Sequence, residues 1–567
     1  MTRAVDWDFQ HDVVVVGSGA GGMTAALIAS DLGLDAIVIE KSDLIGGTTA
    51  VSGGAVWVPN NPQMQAIGYQ DSTDEALTYL KGTIGELYEE QRLRAYVETG
   101  PALVRYLEKH SKVAFRAGPL PDYYSNLPGG KDKYRALDPV PLSARELGED
   151  IKVLRPPHPK TTVAGVTFTT GEVATILRKD SGWLKLALGL ALRHFLDIPW
   201  HLKFKSAPRL CLGNALVARC LLSLRQRNIP IWRETAFKDL VKDDSGVVGI
   251  TAERGNQEIR IRARRGVILA AGGFGSNPQM RKTWLTRSPD VARSVAPDVN
   301  TGEAIAAGMR LGAQTDLMDD AWWIPVYRLE ASKLTCGMFF DRAFPGSIIV
   351  NERGERFMND ASNYDQTGRA MANAAPAGKP DTPSFFIFDA HYRKNYIAGP
   401  LQPSPGFVDA FLPREIRDNF IKAPSLASLA ARLNIDPAAL QRTVGRFNEQ
   451  AQRGKDEDFG RGEEAYERHY SDPKVSPNST MAPITEAPFY AVPIYAGDIG
   501  TKGGLVTDMD ARVQDGDGNA IPGLYAVGNT SASIMGHTYP GGGVTIGPSM
   551  VFGARAAMHI AGKPLPE

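Results

Sequence analysis

The chain has 567 residues, which is too many for one simple core and indicates more than one structural unit. Its 63 Lys and Arg residues balance its 63 Asp and Glu residues, so the composition gives no support for nucleic acid as a partner. The three cysteines, Cys211, Cys220 and Cys336, lack CxxC spacing, which argues against a disulfide framework or a zinc site, and we predict no metal.

The N-terminal segment Met1–Asp8 has neither the basic start nor the apolar core of a signal peptide. The first apolar run, Val13–Val16, has the length of a strand. No stretch reaches the roughly 18 to 20 clean apolar residues of a membrane-spanning helix. We therefore expect a cytoplasmic protein, with the inner face of the membrane as one alternative location.

A nucleotide-binding pattern opens the chain. A β-branched run at Asp12–Val16 predicts a buried strand, which leads into the GxGxxG turn at Gly17–Gly22. Met23–Ala29 then predicts a helix, and Ala36–Ile39 predicts a second strand that ends in the acidic residue Glu40. Strand, glycine turn, helix, strand and acid together predict a dinucleotide site, whereas a lone GxGxxG would be weak evidence.

Each residue of this turn has a physical task. Gly17 makes the tight bend, Gly19 lets the backbone approach a pyrophosphate, and Gly22 lets the helix pack against the strand. The helix N-terminus offers free N–H groups to the phosphates, and Glu40 stands where a carboxylate meets a ribose hydroxyl. The predicted cofactor contacts here are Gly17, Ser18, Gly19, Ala20, Gly22, Glu40, Lys41, Gly47, Thr48, Thr49, Ser52, Gly53 and Gly54.

An unusual segment follows at Trp183–Leu196, which is apolar almost all round. Its polar positions, Lys185, Arg193 and Asp197, fall on one narrow stripe, and Pro199 limits the helix. At about 22 Å it would be too short to span a bilayer. We expect a helix within 182–203 that lies on a membrane surface; a buried helix or a subunit contact are the alternatives.

Three later segments also combine strands with glycines. Val267–Phe274 and Ile521–Asn529 each predict a buried strand that opens into small residues, and Gly541–Gly547 leads to a helix predicted at Ala554–Ile560. The N-terminus of that helix would face the flavin pyrimidine and stabilise an anionic reduced flavin. The contacts predicted from these segments are Ala271, Gly272, Gly273, Gly528, Asn529, Val544 and Ile546.

These glycine segments resemble those of the flavoprotein family of fumarate reductases, succinate dehydrogenases and 3-ketosteroid dehydrogenases. The resemblance implies FAD, held non-covalently because no His lies between Thr48 and Gly54. It implies an α/β fold in which a discontinuous Rossmann-like FAD-binding domain, residues 1–300 and 496–567, carries an inserted α+β catalytic cap domain, residues 301–495.

The substrate side departs from the fumarate reductases. Ile349–Asp360 keeps their cap frame, but Tyr364 stands where they have an Arg. A second Arg is missing from the loop Gly536–Gly543, which carries Tyr539 instead. Two tyrosines suit an uncharged ketone better than a dicarboxylate, which needs fixed cations. Together with Pro121–Tyr124, these motifs resemble the 3-ketosteroid Δ1-dehydrogenases.

This resemblance implies roles for four residues. The hydroxyl of Tyr539 and the N–H of Gly543 would donate to the C3 oxygen, because loss of a C2 proton requires a stabilised enolate. Tyr364 would take that proton, and Tyr123 would hydrogen-bond to it and favour its phenolate, with Tyr124 as the alternative partner. Flavin N5 would accept the hydride from C1. The sequence does not identify the acceptor that reoxidises the flavin; a quinone is one alternative.

Other residues near these motifs are weaker candidates. Tyr466 and Tyr470 are candidates for the wall of the substrate pocket, and His537 is expected to serve loop packing. The rival functions are a 3-ketosteroid Δ4-(5α)-dehydrogenase, disfavoured by Gly541 where a Ser is expected, a fumarate-reductase-like enzyme, and a non-catalytic flavin-binding subunit. The sequence decides neither the steroid side chain nor the oligomeric state.

Overall fold

The computed structural model describes residues 6–566. The prediction that the chain has no signal peptide used Met1–Asp8, of which residues 1–5 lie outside the described residues. The central sheet is mainly parallel, with an antiparallel meander on one edge and a hairpin on a parallel strand. In spatial order its strands are Ile231–Trp232, Ala36–Ile39, Phe9–Val16, Gln257–Leu269, Gly246–Arg254 and Thr235–Asp243. The strand Ala520–Ala526 also pairs with Gln257–Leu269, and Arg512–Gln514 pairs with Ala520–Ala526.

The β-branched run at the start of the chain forms the centre of this sheet. Val13–Val16 is buried and pairs in parallel with Ala36–Ile39 on one side and with Gln257–Leu269 on the other. The helix Ala20–Asp31 follows at once, and a Cβ on Gly22 would lie 2.2 Å from the Gly17 carbonyl oxygen. The glycines therefore permit the close strand-to-helix turn that the sequence predicts.

The C-terminal helix packs on this first helix at very short range. It spans Ile546–Ala561, and a Cβ on its Gly553 would lie 2.5 Å from the carbonyl oxygen of Gly21. The prediction placed this helix at 554–560 and was therefore wrong about its start. Pro548 lies in the first helical turn, where a backbone N–H has no partner within the helix, so the proline does not prevent helix formation.

A second sheet is antiparallel and belongs to the middle of the chain. Its strands are Leu334–Gly337, Ala321–Leu329, Phe489–Thr501, Ser384–Phe388, Ser347–Val350 and Ile421–Ala423. The helix Tyr364–Ala374 packs so tightly on it that a Cβ on Gly368 would lie 2.4 Å from the Ile324 amide nitrogen. The strand Phe489–Thr501 continues across the predicted boundary at 495/496, and the domain limits stay a prediction.

The apolar segment forms the helices Trp183–Phe195 and Ile198–Lys203. Of the first helix only Leu190 is buried, while Leu188 is 57% exposed and Leu202 in the second is 84% exposed. The alternative of a helix buried in the protein's own core is therefore wrong. A helix that is apolar at almost every position has no single face that its sequence marks as the buried one. The sequence therefore could not show which side of this helix the rest of the protein would cover.

The remaining elements connect these layers. No helix within residues 6–566 is long and apolar enough to cross a membrane. The other α-helices are Gly47–Val51, Pro62–Ala66, Thr73–Ile84, Glu90–His110, Thr170–Leu177, Leu212–Gln226, Pro278–Trp284, Glu303–Arg310, Ala390–Asn395, Arg414–Arg417, Leu426–Leu433, Pro437–Arg453 and Ala465–His469. The smaller sheets comprise Val56–Trp57, Phe115–Ala117, Ala136–Pro139, Leu142–Ser143, Thr162–Val163, Val166–Thr167, Arg209–Leu210, Thr315–Asp316 and Gly504–Leu505.

Candidate active site

Three of the predicted tyrosines meet in one buried cluster. The ring of Tyr539 lies 5.2 Å from that of Tyr123, nearly parallel to it, and 5.2 Å from that of Tyr364. The rings of Tyr123 and Tyr364 are 5.6 Å apart and edge to face. All three side chains are more than nine-tenths buried, so water is largely kept from their hydroxyl groups.

Separate parts of the chain deliver these rings. Tyr364 begins the helix Tyr364–Ala374, whose N-cap Asn363 accepts a hydrogen bond from Gln366 N. Tyr539 lies in the last loop, and the neighbouring Pro540 carbonyl accepts a hydrogen bond of 2.8 Å from Tyr123 N. The segment that carries Tyr123 and the loop that carries Tyr539 are therefore locked together through their backbones.

Gly543 closes the same loop in a conformation that other residues rarely adopt. Its φ is +102°, and a Cβ there would lie 2.5 Å from the Ala55 carbonyl oxygen and 2.7 Å from the Trp57 amide nitrogen. Trp57 N in turn donates to the Gly543 carbonyl oxygen at 3.2 Å. Only glycine fits this position, because both the torsion angle and the space exclude a side chain.

The geometry also separates Tyr123 from Tyr124. The ring of Tyr123 contacts those of Tyr364 and Tyr539 and lines the cavity. Tyr124 does not line it, and its backbone N–H donates to the Tyr79 hydroxyl. Of the two alternatives, Tyr123 is therefore the one that lies beside Tyr364 in the cavity.

Further aromatic side chains complete the cluster. Tyr466 lies 4.6 Å from Tyr123 and Phe339 lies 5.3 Å from Tyr364, ring centroid to ring centroid. Trp322 packs edge to face on Tyr539 at 5.2 Å. Tyr466 was a candidate for the pocket wall, whereas the sequence analysis did not identify Phe339 or Trp322. Neither lies in a motif that carries chemistry, so only their place in the fold reveals them.

Burial controls the acidity of these phenols. It raises the pKa of Tyr364 well above its ordinary value, and the neighbouring Tyr123 and Tyr539 raise it further. Burial also raises the pKa of Tyr539, to about 12, although hydrogen bonding with Tyr364 and Thr545 opposes this rise. Tyr123 therefore disfavours a Tyr364 phenolate by raising this pKa, whereas the sequence analysis expected it to favour one. A base at Tyr364 would therefore need further stabilisation when substrate is bound.

The tyrosine cluster opens into the predicted dinucleotide site, and the two form one cavity of about 650 Å³. Tyr123, Tyr364, Tyr539 and Gly543 line it together with most of the predicted cofactor contacts. The contacts brought to the cavity are Gly17, Ser18, Gly19, Ala20, Gly22, Glu40, Lys41, Gly47, Thr48, Thr49, Ser52, Gly53, Gly54, Ala271, Gly272, Gly528, Asn529 and Ile546.

Two predicted contacts do not line this cavity. A Cβ on Gly273 would lie 2.1 Å from the Thr501 hydroxyl, so this glycine serves packing against a neighbouring strand. The Val544 side chain is buried in the core and its N–H donates to the Gly541 carbonyl oxygen. Their neighbours Gly272 and Gly543 face the cavity instead.

The donor set fits FAD. The Glu40 carboxylate is held by the Ser18 hydroxyl at 2.6 Å and by Ser42 N at 2.9 Å, which fixes it at the end of its strand. The helix Ala20–Asp31 begins with an N–H, that of Ala20, which donates to the Thr49 hydroxyl at 3.2 Å, so the next N–H groups, those of Gly21 and Gly22, are the ones available to a phosphate. A Cβ on Gly53 would meet no atom within 4 Å, which leaves open space beside the backbone. A cofactor with a pyrophosphate and a ribose matches these features.

Apolar side chains form another part of the cavity wall. Val173 and Leu177 of the helix Thr170–Leu177 line it on one side, and Leu334 and Ile416 line it from the middle of the chain. Among the lining residues that the structure describes, none is an arginine. This part of the cavity suits a large uncharged ligand rather than a dicarboxylate.

Comparison with known proteins agrees with this geometry. A family model for an FAD binding domain matches residues 12–546. A 3-oxosteroid 1-dehydrogenase of Mycobacterium tuberculosis is 39% identical over 97% of this chain and 98% of its own. The chain belongs to the 3-oxosteroid 1-dehydrogenase family. The predicted FAD cofactor and the predicted family are thereby confirmed.

Two further similar proteins extend this comparison. The crystal structure of a 3-ketosteroid Δ1-dehydrogenase from Sterolibacterium denitrificans, in complex with 1,4-androstadiene-3,17-dione, superposes with a TM-score of 0.92 at 43% identity, covering 98% of this chain and 99% of that one. A 4-oxocyclohexanecarboxylate 2-dehydrogenase of Sinomonas cyclohexanicum is 33% identical over 98% of this chain and 93% of its own. The relatives of this chain are therefore not all named as steroid dehydrogenases.

Proposed function

We propose that this enzyme introduces the C1–C2 double bond into 3-ketosteroids with FAD. The observation that carries this function is the meeting of Tyr364, Tyr539 and Gly543 with the dinucleotide cradle in one buried cavity. FAD, when bound, supplies the acceptor for the hydride that leaves C1. The protein's own residues must then make the C2 proton acidic and remove it.

The oxyanion site consists of Tyr539 and Gly543. The phenol O–H and the backbone N–H donate to the C3 oxygen, where negative charge develops as the C2 proton leaves. The torsion angle of Gly543 and its contact with Trp57 fix the direction of this N–H before substrate arrives. A fixed donor in a site with little water stabilises the enolate more than water would.

Tyr364 is the base in this proposal, and Tyr123 is its neighbour. The raised pKa of Tyr364 means that its phenolate is scarce at neutral pH, so deprotonation limits the rate there. The C2 proton of a ketone held by Tyr539 is more acidic than that of a free ketone, which lowers the demand on the base. The rate should accordingly rise as the pH increases above neutral.

A steroid fits the site better than a small keto acid. Val173, Leu177, Leu334 and Ile416 form an apolar extension that a single ring would leave empty. A carboxylate would also lack an arginine partner, and the two lysines that line the cavity, Lys41 and Lys160, already face the carboxylates of Glu303 and Asp341. The alternative activity on 4-oxocyclohexanecarboxylate is therefore disfavoured, as is a fumarate-reductase-like reaction.

The decisive experiment mixes the FAD-loaded enzyme anaerobically with androst-4-ene-3,17-dione. Loss of the flavin absorbance near about 450 nm, with a product two hydrogens lighter and unsaturated at C1–C2, supports the proposal. The same experiment with 5α-androstane-3,17-dione reports a Δ4-(5α) activity through the position of the new double bond. Reduction by 4-oxocyclohexanecarboxylate alone would replace the steroid assignment.

The exposed apolar helices support contact with a membrane surface. Leu184, Leu188, Leu192 and Leu196 recur every four residues and all are about half exposed or more. The preceding helix Thr170–Leu177 packs against this segment and lines the cavity, so a sterol dissolved in lipid would enter near the membrane. The same position suits a quinone as the electron acceptor. Contact with another subunit at this face is the alternative, and sedimentation analysis distinguishes it from contact with a membrane.

The domain division is part of the same proposal. Residues 1–300 and 496–567 supply the cofactor contacts and part of the substrate pocket, and residues 301–495 supply Tyr364 and the remaining pocket wall, which includes Leu334 and Ile416. The long strand Phe489–Thr501 joins the two parts, which supports a cap held firmly on the FAD-binding domain.

A further inference from the structure

A cluster of buried charges lies directly behind the tyrosines. Lys502 is 1% exposed, and its Nζ lies 3.4 Å from an Asp365 carboxylate oxygen and 4.0 Å from one of Asp320. Arg369 lies 3.1 Å from Asp320 and 3.6 Å from Asp365. One buried cation, Lys502, and one partly buried cation, Arg369, thus face two buried carboxylates, and such a set is costly to assemble unless every charge is paired.

Lys502 touches the chain neighbours of both tyrosines that the proposed reaction uses. Its Nζ donates to the Thr538 carbonyl oxygen at 3.1 Å, one residue before Tyr539. Its other contact, Asp365, directly follows Tyr364 at the start of the helix. One ammonium group therefore joins the loop that carries the oxyanion donor to the helix that carries the base.

Two further contacts strengthen this link. The Nζ of Lys502 lies 4.7 Å from the centre of the Trp322 ring, whose edge-to-face partner is Tyr539. Asp365 also accepts a hydrogen bond of 3.0 Å from the backbone N–H of Trp323, so the lysine's anionic partner is itself fixed to a strand. The ammonium is held on several sides and cannot move far without moving the loop.

We propose that Lys502 is a positioning residue that fixes Tyr539 relative to Tyr364 through its contacts with Thr538 and Asp365. This inference rests on the proposed steroid dehydrogenation for its kinetic consequences, although not for its structural ones. A displacement of about 1 Å between reacting groups costs on the order of a hundredfold in rate. A flexible connection between these two tyrosines would be correspondingly harmful.

The charges also predict how the acidity of the tyrosines responds. A cation stabilises a nearby phenolate and an anion destabilises it, and Asp365 contributes to the raised pKa of Tyr539. The other ionisable groups that face this cluster are Asp320, Arg369, His537 and Tyr124. They stay unchanged when only Lys502 or Asp365 is replaced.

The test compares Lys502→Met, Asp365→Asn and the double variant in the FAD-loaded enzyme. Arg393→Met is the matched control, because Arg393 is also 1% exposed and paired with a carboxylate, that of Asp409. The measurements are thermal stability, kcat and KM for androst-4-ene-3,17-dione, the acidic limb of the kcat–pH profile, and amide hydrogen exchange of residues 536–543 without steroid.

We expect Lys502→Met to lower kcat about ten- to hundredfold, with a smaller change in KM, because the enolate needs the alignment more than the ketone does. The acidic limb of the kcat–pH profile should move to higher pH in Lys502→Met and to lower pH in Asp365→Asn. The double variant should return the limb towards wild type yet keep the low kcat, since charge balance does not restore the contact with Thr538. Exchange of residues 536–543 should accelerate in both variants that lack the lysine, but not in the control.

A purely structural lysine gives a different result. Wild-type kcat and unchanged exchange in folded Lys502→Met, or a double variant with full kcat, would overturn the proposal. If Lys502→Met alone does not fold, the charge-balanced double variant decides the same question. If wild-type enzyme fails to dehydrogenate the steroid, the proposed function is refuted, while the exchange data still decide whether Lys502 holds the loop.

Discussion

The replacement Gly543→Ala tests the oxyanion site directly. A Cβ at this position would lie 2.5 Å from the Ala55 carbonyl oxygen and 2.7 Å from the Trp57 amide nitrogen, both of which are backbone atoms. Ordinary contacts start near 3.4 Å, so the loop must move by about 1 Å to admit the methyl group. Such a movement turns the Gly543 N–H away from the C3 oxygen.

The loss of one oxyanion donor costs on the order of 10²- to 10³-fold in kcat, or about 3 to 4 kcal/mol of transition-state stabilisation. The left-handed backbone conformation adds about 1 to 2 kcal/mol of strain for alanine, which lowers the thermal stability. Steady-state dehydrogenation of androst-4-ene-3,17-dione with an artificial acceptor measures the first effect, and thermal unfolding measures the second.

Gly562→Ala is the control for this experiment. Gly562 has φ +63° at the end of the last helix, and a Cβ there would meet no atom within 4 Å. It should therefore lose stability without losing activity. A Gly543→Ala enzyme that binds FAD fully and keeps kcat within about threefold of wild type would refute the assignment of this N–H to the oxyanion site.

Three further predictions concern the other parts of the site. Tyr364→Phe should abolish most of kcat, and Tyr539→Phe should lower kcat about 10²-fold. The kcat of the wild-type enzyme should rise with pH above neutral, because the pKa of Tyr364 is raised. A flat pH profile together with an active Tyr364→Phe enzyme would argue for another base. Glu40→Ala should weaken FAD binding by about tenfold or more, because the carboxylate proposed to bind the ribose hydroxyl is gone. Gel filtration followed by flavin absorbance measures the retained FAD, and full retention would contradict that role. Leu188→Glu combined with Leu192→Glu should reduce co-sedimentation with phospholipid vesicles while leaving kcat unchanged; equal co-sedimentation would leave these helices to a subunit contact.

The first part of the cofactor site, within residues 17–54, follows closely from the sequence because its elements are contiguous. The turn from Gly17 to Gly22 and the acid at Glu40 lie within one strand–helix–strand unit, so local conformation and spacing already fix their relative positions. A short polar turn, Asp515–Asn519, likewise joins two paired strands that are adjacent in the chain. The two predicted contacts that do not line the cavity, Gly273 and Val544, are each one residue away from a position that does.

Only the tertiary structure decided which distant residues meet. Tyr123, Tyr364 and Tyr539 were found through motifs, but their spacing in space depends on the packing of a cap sheet, a helix and a loop. Trp322 and Lys502 carry no motif, and their importance appears only because packing brings them against Tyr539 and Thr538. The amino-acid sequence determines short-range geometry directly, through torsion angles and periodicity. Contacts between remote segments depend on how the whole chain packs, and so does the choice of the face that an all-apolar helix leaves uncovered.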